Sequence, residues 1–321
     1  MLSRRHLRIK VLQALYAFNV SLNDRLDLGE KELMRSLDKL YEIYIWQLSL
    51  VVEIVNFARK RMEENKQKFF PTEEDLSPNI RFINNAFCKK LLSNADFNHY
   101  LNKYKINWSD QEDLIRRLLQ EIKDCQDFKD YMNAPECNFE DDREIFSNLF
   151  KKPLAKSELL QFYFEEKSIY WHDDFNTSNM LVIKTIRSWQ QDWDDNVKLP
   201  VIFMDGSSGP ASEDRNFVLN LFRKSILKGK EYDELISDKA TNWEMDRIAI
   251  MDILIIKMAL VEILESPSIP LKVTLNEYIE LAKLFSTPKS KIFVNGILDK
   301  LIVDLKKDNK IKKTGRGLIE N

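Results

Sequence analysis

The sequence predicts an all-α protein, and its glycine usage and helical periodicity are the observations that lead to this prediction. The chain has 321 residues and only 7 glycines, none of them between Gly29 and Gly206. Strand-rich folds need glycine in tight turns, and nucleotide-binding loops need it where the backbone approaches phosphate. Apolar residues recur at the three- and four-residue steps of amphipathic helices along most of the chain. We therefore expect helices throughout.

The first predicted helix covers residues 1–22 and is rich in arginine. Its apolar stripe consists of Leu7, Val11, Ala14, Leu15, Phe18 and Leu22. One edge of that stripe carries Arg5, Arg8, Leu12 and Tyr16. A cationic edge that ends in an aromatic ring suits an RNA backbone whose unpaired bases stack on the ring. The alternative interpretation is an ordinary solvated helix face.

Residues 23–200 are predicted to form a helical region of unknown role. Helical spacing predicts one long helix or two over residues 26–67, which Phe69-Phe70-Pro71 ends. Later helices are predicted over residues 75–93, 138–152, 156–171 and 177–193. Another is predicted to begin at Trp108, with Ser109 or Asp110 as its N-cap. The aromatic residues of this region are more typical of a core than of a binding surface. They are Trp46, Trp171, Trp189, Trp193 and the cluster Phe162-Tyr163-Phe164.

Residues 192–212 form the predicted domain boundary, because Pro200, Gly206, Gly209 and Pro210 interrupt the helical pattern. A short apolar run at residues 201–204 is followed by Asp-Gly-Ser-Ser-Gly, which could suggest a strand and a phosphate loop. No Gly-Lys-Ser/Thr follows, and no second β-α unit is visible. A linker is therefore the favoured interpretation.

Helical patterns resume at residue 213 and continue to residue 305. Three of them, between residues 241 and 301, surround polar residues that packing alone does not require. The first contains Ile248, Met251, Ile255, Met258 and Ile263, and Pro267 and Pro270 end it. The second presents Ile279, Ala282 and Phe285 to a core, and the third presents Val294, Leu298, Leu301 and Leu305. Residues 306–321 form a basic tail.

In order and spacing, these three patterns resemble the C-terminal half of the NusB family of bacterial transcription antitermination factors. The family carries an acidic-Arg-Ile helix, a V-x-x-N-E-x-x-E-L-A-K-x-F helix and the motif F-V-N-G-x-L-D. The corresponding segments here are Asp246-Arg247-Ile248, residues 273–285 and residues 293–299. The arginine-rich first helix, with Gln13-Ala14-Leu15-Tyr16, is similar to the first helix of the family. The resemblance implies a bundle made of the N-terminal helix and the C-terminal helices, with residues 23–200 as an all-helical insertion.

The resemblance also implies a function and its partners. The family binds the boxA element of nascent ribosomal RNA together with a small-subunit ribosomal protein, NusE, and acts on the RNA polymerase elongation complex indirectly. Mapped residue by residue, the implied RNA contacts are Arg4, Arg5, Arg8, Tyr16, Lys289, Ser290 and Phe293. Lys289 replaces an acidic residue of some relatives, and for Phe293 a core position beside Val294 is the alternative.

The partner protein is expected on the C-terminal helices. The implied contacts are Asp252, Lys257 and Glu262, for which ordinary surface salt bridges are the alternative. We interpret Gly296 as permitting close helix packing, and Asn276 with Glu277 as capping or bracing the start of their helix.

Charge and composition narrow the class of protein. The formal net charge is −2, yet residues 1–23 contain Arg4, Arg5, Arg8 and Lys10 and no acidic residue. Residues 306–321 carry six Lys or Arg against Asp308 and Glu320. This distribution predicts cationic ends near a ligand and an acidic body. The 3 cysteines and 3 histidines show no metal-site spacing, so we expect neither a disulfide framework nor a metal nor another cofactor. A reducing cytoplasm fits best, and a mitochondrial transit peptide is the alternative for the N-terminus.

An enzyme is not expected, because no catalytic motif such as G-x-S-x-G, H-E-x-x-H or a P-loop occurs. The sequence contains no run of 18 apolar residues, so no membrane span is expected. Two other functions stay open. One is a helical protein-interaction scaffold that keeps the fold without binding RNA. The other is a module related to RNA cytosine methyltransferases without their catalytic domain.

Overall fold

The computed structural model describes residues 2–21, 24–203, 212–240 and 248–319. Across these residues the regular structure is helical, without a strand, which confirms the all-α prediction. The chain folds into two compact units. Unit 1 consists of Met1–Ser36 with Val201–Asn321, and unit 2 of Leu37–Pro200. The first eleven residues of the long second helix thus belong to unit 1, whereas the sequence-based boundary lies at residue 22.

Unit 2 contains most of α2 and a series of shorter helices. In chain order these are α2 (Leu26–Lys66), α3 (Glu73–Leu76), α4 (Ala86–Ser93), α5 (Ala95–Lys103), α6 (Glu112–Asp124), α7 (Gln126–Asn133), α8 (Phe139–Lys151), α9 (Pro153–Lys156), α10 (Glu158–Lys167) and α11 (Phe175–Ser188). Trp46 packs edge-on against Trp108 with ring centroids 4.9 Å apart. Trp46, Trp171, Trp189 and Phe164 are buried, which confirms the core prediction for them. Tyr163 and Trp193 are half-buried. Phe162 is 59% exposed, so the prediction is wrong for this residue.

Several predicted helix boundaries in unit 2 are wrong, because asparagine caps divide what the apolar pattern joins. The helix predicted over residues 75–93 is broken into α3, a short 3-10 turn and α4. The side-chain oxygen of Asn85 accepts a hydrogen bond from the Cys88 amide at 2.9 Å and starts α4. Asn94 starts α5 in the same way. Neither Ser109 nor Asp110 is an N-cap, since both lie in a 3-10 turn that precedes α6.

The long helix α2 is also the one described helix that is long and apolar enough to be considered as a membrane span. Its most apolar window is 83% buried inside the structure. Burial of this kind is typical of a core helix.

Unit 1 is built around one helix that is buried on nearly all sides. Its members are α1 (Arg4–Val20), the start of α2, α12 (Glu213–Leu227), α13 (Gly229–Lys239), α14 (Ile250–Glu265), α15 (Leu271–Phe285) and α16 (Ser290–Lys307). Every residue of α14 from Leu254 to Ile263 is buried. Helices α1, α12, α13, α15 and α16 all pack against it. A helix that is apolar on all sides is stable in a soluble protein only when neighbouring helices cover its whole surface.

The N-terminus is joined to the second segment of unit 1 by a backbone contact. The Leu2 amide donates a hydrogen bond to the Ile202 carbonyl at 2.8 Å. Residues 201–203 are not a strand. Leu22, the Asp-Gly-Ser-Ser-Gly run and the pair Asp246-Arg247 lie outside the described residues.

Candidate functional site

The N-terminal helix is fixed to the C-terminal bundle by a buried ion pair. Arg8 of α1 donates to both carboxylate oxygens of Glu262 on α14, from Nε to Oε2 and from Nη2 to Oε1, each at 2.8 Å. The Arg8 side chain is 3% exposed and that of Glu262 is 0% exposed. Burial lowers the pKa of Arg8, but the hydrogen bonds and the charge of Glu262 outweigh it and raise the pKa above its ordinary value. Arg8 therefore stays charged at every accessible pH.

Two hydroxyl groups of α15 complete the surroundings of the Glu262 carboxylate. The Thr274 hydroxyl donates to Oε1 at 2.9 Å, and the Tyr278 hydroxyl donates to Oε2 at 3.1 Å. Burial, together with the charge of Glu262, raises the pKa of Tyr278 well above its usual value, so this hydroxyl remains a donor. Glu262 thus joins α1, α14 and α15 through four hydrogen bonds.

Arg5 and Arg4 flank this buried pair on the more exposed side. Arg5 donates from Nε and Nη2 to the two carboxylate oxygens of Glu277 on α15, at 2.9 and 2.7 Å. These hydrogen bonds lower the pKa of Glu277 below its usual value. Arg4 donates to Asp214 of α12 at 3.2 Å and lies over the Phe217 ring. The side chains of Arg4 and Arg5 are 35% and 44% exposed.

Glu277 therefore braces α1 and does not cap its own helix. The helix α15 begins at Leu271, with Pro270 at the N-cap and no side-chain cap, so Asn276 and Glu277 lie in its interior. The prediction that these two residues cap the helix start is wrong.

The predicted cationic edge of α1 is not a continuous exposed strip. Arg5 and Tyr16 lie 11 positions apart on one helix face, roughly 16 Å from each other, and both are exposed. Leu12, which lies on the same face between them, is fully buried, as is Arg8 beside it. The premise that Arg8 lies on the exposed edge is wrong, because its guanidinium is needed against Glu262.

The predicted RNA contacts fall into two groups, one on α1 and one at the α15–α16 turn, and their positions can be compared along α14. Arg8 contacts Glu262 near the end of α14, whereas Leu15 shares a cleft with Leu254 near its start, so α1 runs antiparallel to α14. The Ser290 hydroxyl donates to Asp252, also near the start of α14, at 2.7 Å. Tyr16 and the α15–α16 turn therefore lie toward one end of α14. Arg4 and Arg5 lie toward the other.

In the α15–α16 turn, Ser290 holds the backbone and Lys289 is exposed. The Ser290 side chain is buried and also contacts the hydroxyls of Ser286 and Thr287 at 2.9 and 2.8 Å. A direct RNA contact by Ser290 would need a side chain that this structure buries. Lys289, in contrast, is open to solvent.

Phe293 is half-buried and lines a groove of about 370 Å³ beside the turn. The other lining residues are Lys239, Lys289, Ile292, Gly296, Ile297 and Lys300. Among the described residues, a Cβ on Gly296 would meet nothing within 4 Å. The interpretation that Gly296 permits close helix packing is therefore wrong for the part of the chain that the structure describes.

The three residues predicted to contact a partner protein are all buried in the bundle. Asp252 is 5% exposed, Lys257 8% and Glu262 0%. Lys257 pairs with Asp233 of α13 at 2.8 Å, while Asp252 and Glu262 accept the hydrogen bonds described above. None of them presents an exposed side chain, so a partner would have to contact other residues of these helices.

A basic cleft lies at the start of α1, where residues of both cationic ends of the chain come together. It has a volume of about 1040 Å³ and is lined by Ser3, Arg4, Arg5, His6, Arg8, Ser268, Ile269, Pro270, Lys272, Val273, Asn276, Glu277, Arg316 and Ile319. Glu277 is the single acidic residue among them. The composition of the tail, with six Lys or Arg residues against two acidic ones, predicted one cationic end, but Lys272 was not predicted as part of a site.

The helices around this site match the NusB family model, which aligns with residues 177–303. The match begins within α11 and does not include α1. No solved structure shows a significant match to the chain. Within the described residues, no three His, Cys, Asp or Glu side chains come together as a candidate metal site.

Curated relatives align with about a third of the chain. The transcription antitermination protein NusB of Salinibacter ruber is 44% identical over 113 residues, which are 34% of this chain and 71% of the relative. The protein of the same name in Geobacter sulfurreducens is 39% identical over 100 residues, which are 31% of this chain and 72% of the relative. The protein of the same name in Chloroherpeton thalassium is 39% identical over 106 residues, which are 33% of this chain and 50% of the relative. Identity at this level, over more than two thirds of two relatives, shows that the chain belongs to the NusB family.

Proposed function

We propose that this protein is an RNA-binding transcription antitermination factor. It binds boxA-like nascent ribosomal RNA together with a small-subunit ribosomal protein acting as NusE, and it reaches the RNA polymerase elongation complex through that assembly. It works in the cytoplasm as a binding protein and not as an enzyme. The names of its relatives support the antitermination role.

The observation that carries the RNA-binding proposal is the rigid presentation of Arg4 and Arg5. A buried ion pair fixes α1 on the bundle, and this places both guanidinium groups at the rim of an open cleft. Arg5 uses two of its five N–H donors on Glu277, and the other three can reach a phosphate. Prearranged cations bind a phosphate backbone with a smaller loss of side-chain entropy than mobile ones.

The second contact region of the proposal is at the other end of α14. Exposed Lys289 supplies charge there, and the half-buried Phe293 offers part of its ring to a base at the groove. Tyr16 is 42% exposed on α1 and is the second stacking candidate. A single RNA strand that touches both ends would run along unit 1.

The coupling between RNA and the ribosomal protein tests this function. We expect saturating partner to tighten binding of a boxA-containing RNA by about 5- to 150-fold, because each protein contributes part of one joint surface. The measurement is RNA affinity by fluorescence anisotropy with and without partner, with a scrambled RNA as control. Equal affinity in both conditions would argue against antitermination and leave a plain RNA-binding module. Absence of RNA binding would favour the scaffold function.

A further inference from the structure

The C-terminal tail of this chain forms a strap across the turn between α14 and α15. The Thr314 amide donates to the Pro267 carbonyl at 3.0 Å, and Lys313 Nζ donates to the Ser266 carbonyl at 3.0 Å. Lys313 also approaches the Glu262 carbonyl at 3.4 Å, so it caps the end of α14. These contacts fix residues 313–317 on unit 1.

Gly317 is the point of closest approach between the strap and the bundle. A Cβ at this position would lie 1.9 Å from the Pro267 carbonyl oxygen. Any other residue would therefore have to move the strap away from the turn. The close approach of Gly317 sets the position of its neighbour Arg316, which is exposed and lines the basic cleft.

Arg316 and Lys272 are the two Lys or Arg residues of the cleft that no described carboxylate engages. Arg4, Arg5 and Arg8 are each engaged with a carboxylate, on Asp214, Glu277 and Glu262. Arg316 and Lys272, both exposed, form no ion pair or side-chain hydrogen bond with any described residue. Five Lys or Arg side chains thus face one cleft whose described lining residues include a single carboxylate, that of Glu277, which already accepts hydrogen bonds from Arg5 and Arg8.

We propose that the strap extends the RNA site, with Arg316 and Lys272 binding phosphates of the strand that continues past Arg5. This inference rests on the proposed function, because it assigns further contacts to the same RNA. The cleft suits a phosphate backbone since its charges are spread over three segments, at the starts of α1 and α15 and in the strap. Its width of several side chains suits a flexible single strand better than one small anion.

The test compares variants of the full-length chain on a single-stranded RNA that contains a boxA-like element with flanking nucleotides. Lys272→Ala with Arg316→Ala removes both free cations. We expect the logarithmic salt dependence of binding to become shallower by about 1.4, at about 0.7 for each lost phosphate contact. Between 50 and 200 mM salt the parent should then lose roughly sevenfold more affinity than the double variant.

Two further variants distinguish an effect of the position of the strap from an effect of net charge on RNA binding. Arg117→Ala with Lys129→Ala removes two exposed cations of unit 2 and should leave the salt dependence unchanged. Gly317→Ala keeps every charge but displaces Arg316, so it should reduce the salt dependence by about one contact. Thermal unfolding of Gly317→Ala shows whether the bundle remains intact. If it does not, the double variant decides alone.

Each outcome bears on the inference. An unchanged salt dependence in Lys272→Ala with Arg316→Ala, while Arg5→Ala weakens binding, would overturn the strap contacts and leave the proposed function standing. An equal effect of the unit 2 control would also overturn them, since net charge alone would then explain the loss. If the parent chain binds no RNA, the proposed function and this inference fail together.

Discussion

A carboxylate with no exposed surface is unfavourable in a protein unless donors surround it. Glu262 meets that condition with two N–H groups of Arg8 and the hydroxyls of Thr274 and Tyr278. Removing any one donor leaves part of a buried charge without compensation. At the scale of single residues, this group sets how firmly the arginine-rich helix is held.

Arg8→Ala should therefore destabilise unit 1 by about 3–5 kcal/mol, the usual cost of leaving one partner of a buried pair alone. Arg5→Ala is the matched control, because it removes an arginine–glutamate pair that is part-exposed and contributes about 0–1 kcal/mol. Denaturant unfolding followed by circular dichroism measures both changes. Equal losses of stability in the two variants would contradict the role of burial.

Tyr16→Ala separates RNA stacking from folding, because the ring is 42% exposed. We expect RNA affinity to fall by about 1–3 kcal/mol from the loss of one stacked base, with little change in salt dependence. The melting temperature should stay near that of the parent. A large drop in melting temperature with unchanged RNA affinity would show that the ring has a packing role instead.

At the scale of the helix, the effect of a glycine depends on which residues face it. At Gly29, near the start of α2, a Cβ would lie 2.8 Å from Phe18 and 2.8 Å from Phe222, two rings that already meet edge to face. At Gly296, in the middle of α16, a Cβ would meet no described residue within 4 Å. The first glycine lets three helices approach closely, and the second leaves a groove open.

Gly29→Ala should destabilise the protein by about 1–3 kcal/mol, since the added methyl group forces the two rings apart. Gly296→Ala should stabilise it by up to about 1 kcal/mol, because alanine is the better helix former and no described residue lies within 4 Å of the added methyl group. Thermal unfolding of the two variants in parallel shows whether each one is more or less stable than the parent. Stabilisation by both would mean that the contact at Gly29 relaxes freely.

Helices were largely predictable from apolar spacing, whereas their ends were not. Val294, Leu298, Leu301 and Leu305 were expected in the core and are buried there. The starts of α4 and α5 depend on single asparagine side chains, and a periodic apolar pattern carries no information about them.

The location of the candidate site was predictable from the sequence, but the burial and the ion-pair partners of its residues were not. The arginine-rich start of α1 follows from the sequence, but the burial of Arg8 depends on Glu262 across 254 positions. The one available signal was Glu262 itself, because a carboxylate flanked on both sides by apolar residues of a buried helix needs a partner. Lys272 and Arg316 belong to no family motif quoted above, so only their placement in space associates them with α1.

At the scale of the whole molecule, the inserted segment has its own core. Unit 2 runs without interruption from Leu37 to Pro200, and its aromatic residues pack mainly on one another, as Phe164 does on Trp171 and Phe175. A continuous segment with a closed core meets the physical requirements of a domain.

Residues 37–200 produced alone should therefore fold. We expect a helical circular dichroism spectrum and one cooperative thermal transition, reported also by tryptophan fluorescence as Trp46, Trp171 and Trp189 become exposed. A gradual, non-cooperative melt would show that this segment depends on the rest of the chain.

The buried pair of Arg8 and Glu262 has a consequence for synthesis of the chain. The two residues are 254 positions apart, so a ribosome that adds about 5–20 residues per second makes Glu262 roughly 13–50 s after Arg8. During that interval the first helix has emerged without the carboxylate that fixes it, while all of unit 2 is made. The arginine-rich surface therefore acquires its final form only near the end of translation. Incomplete chains that stop before residue 262 carry these arginines without that surface.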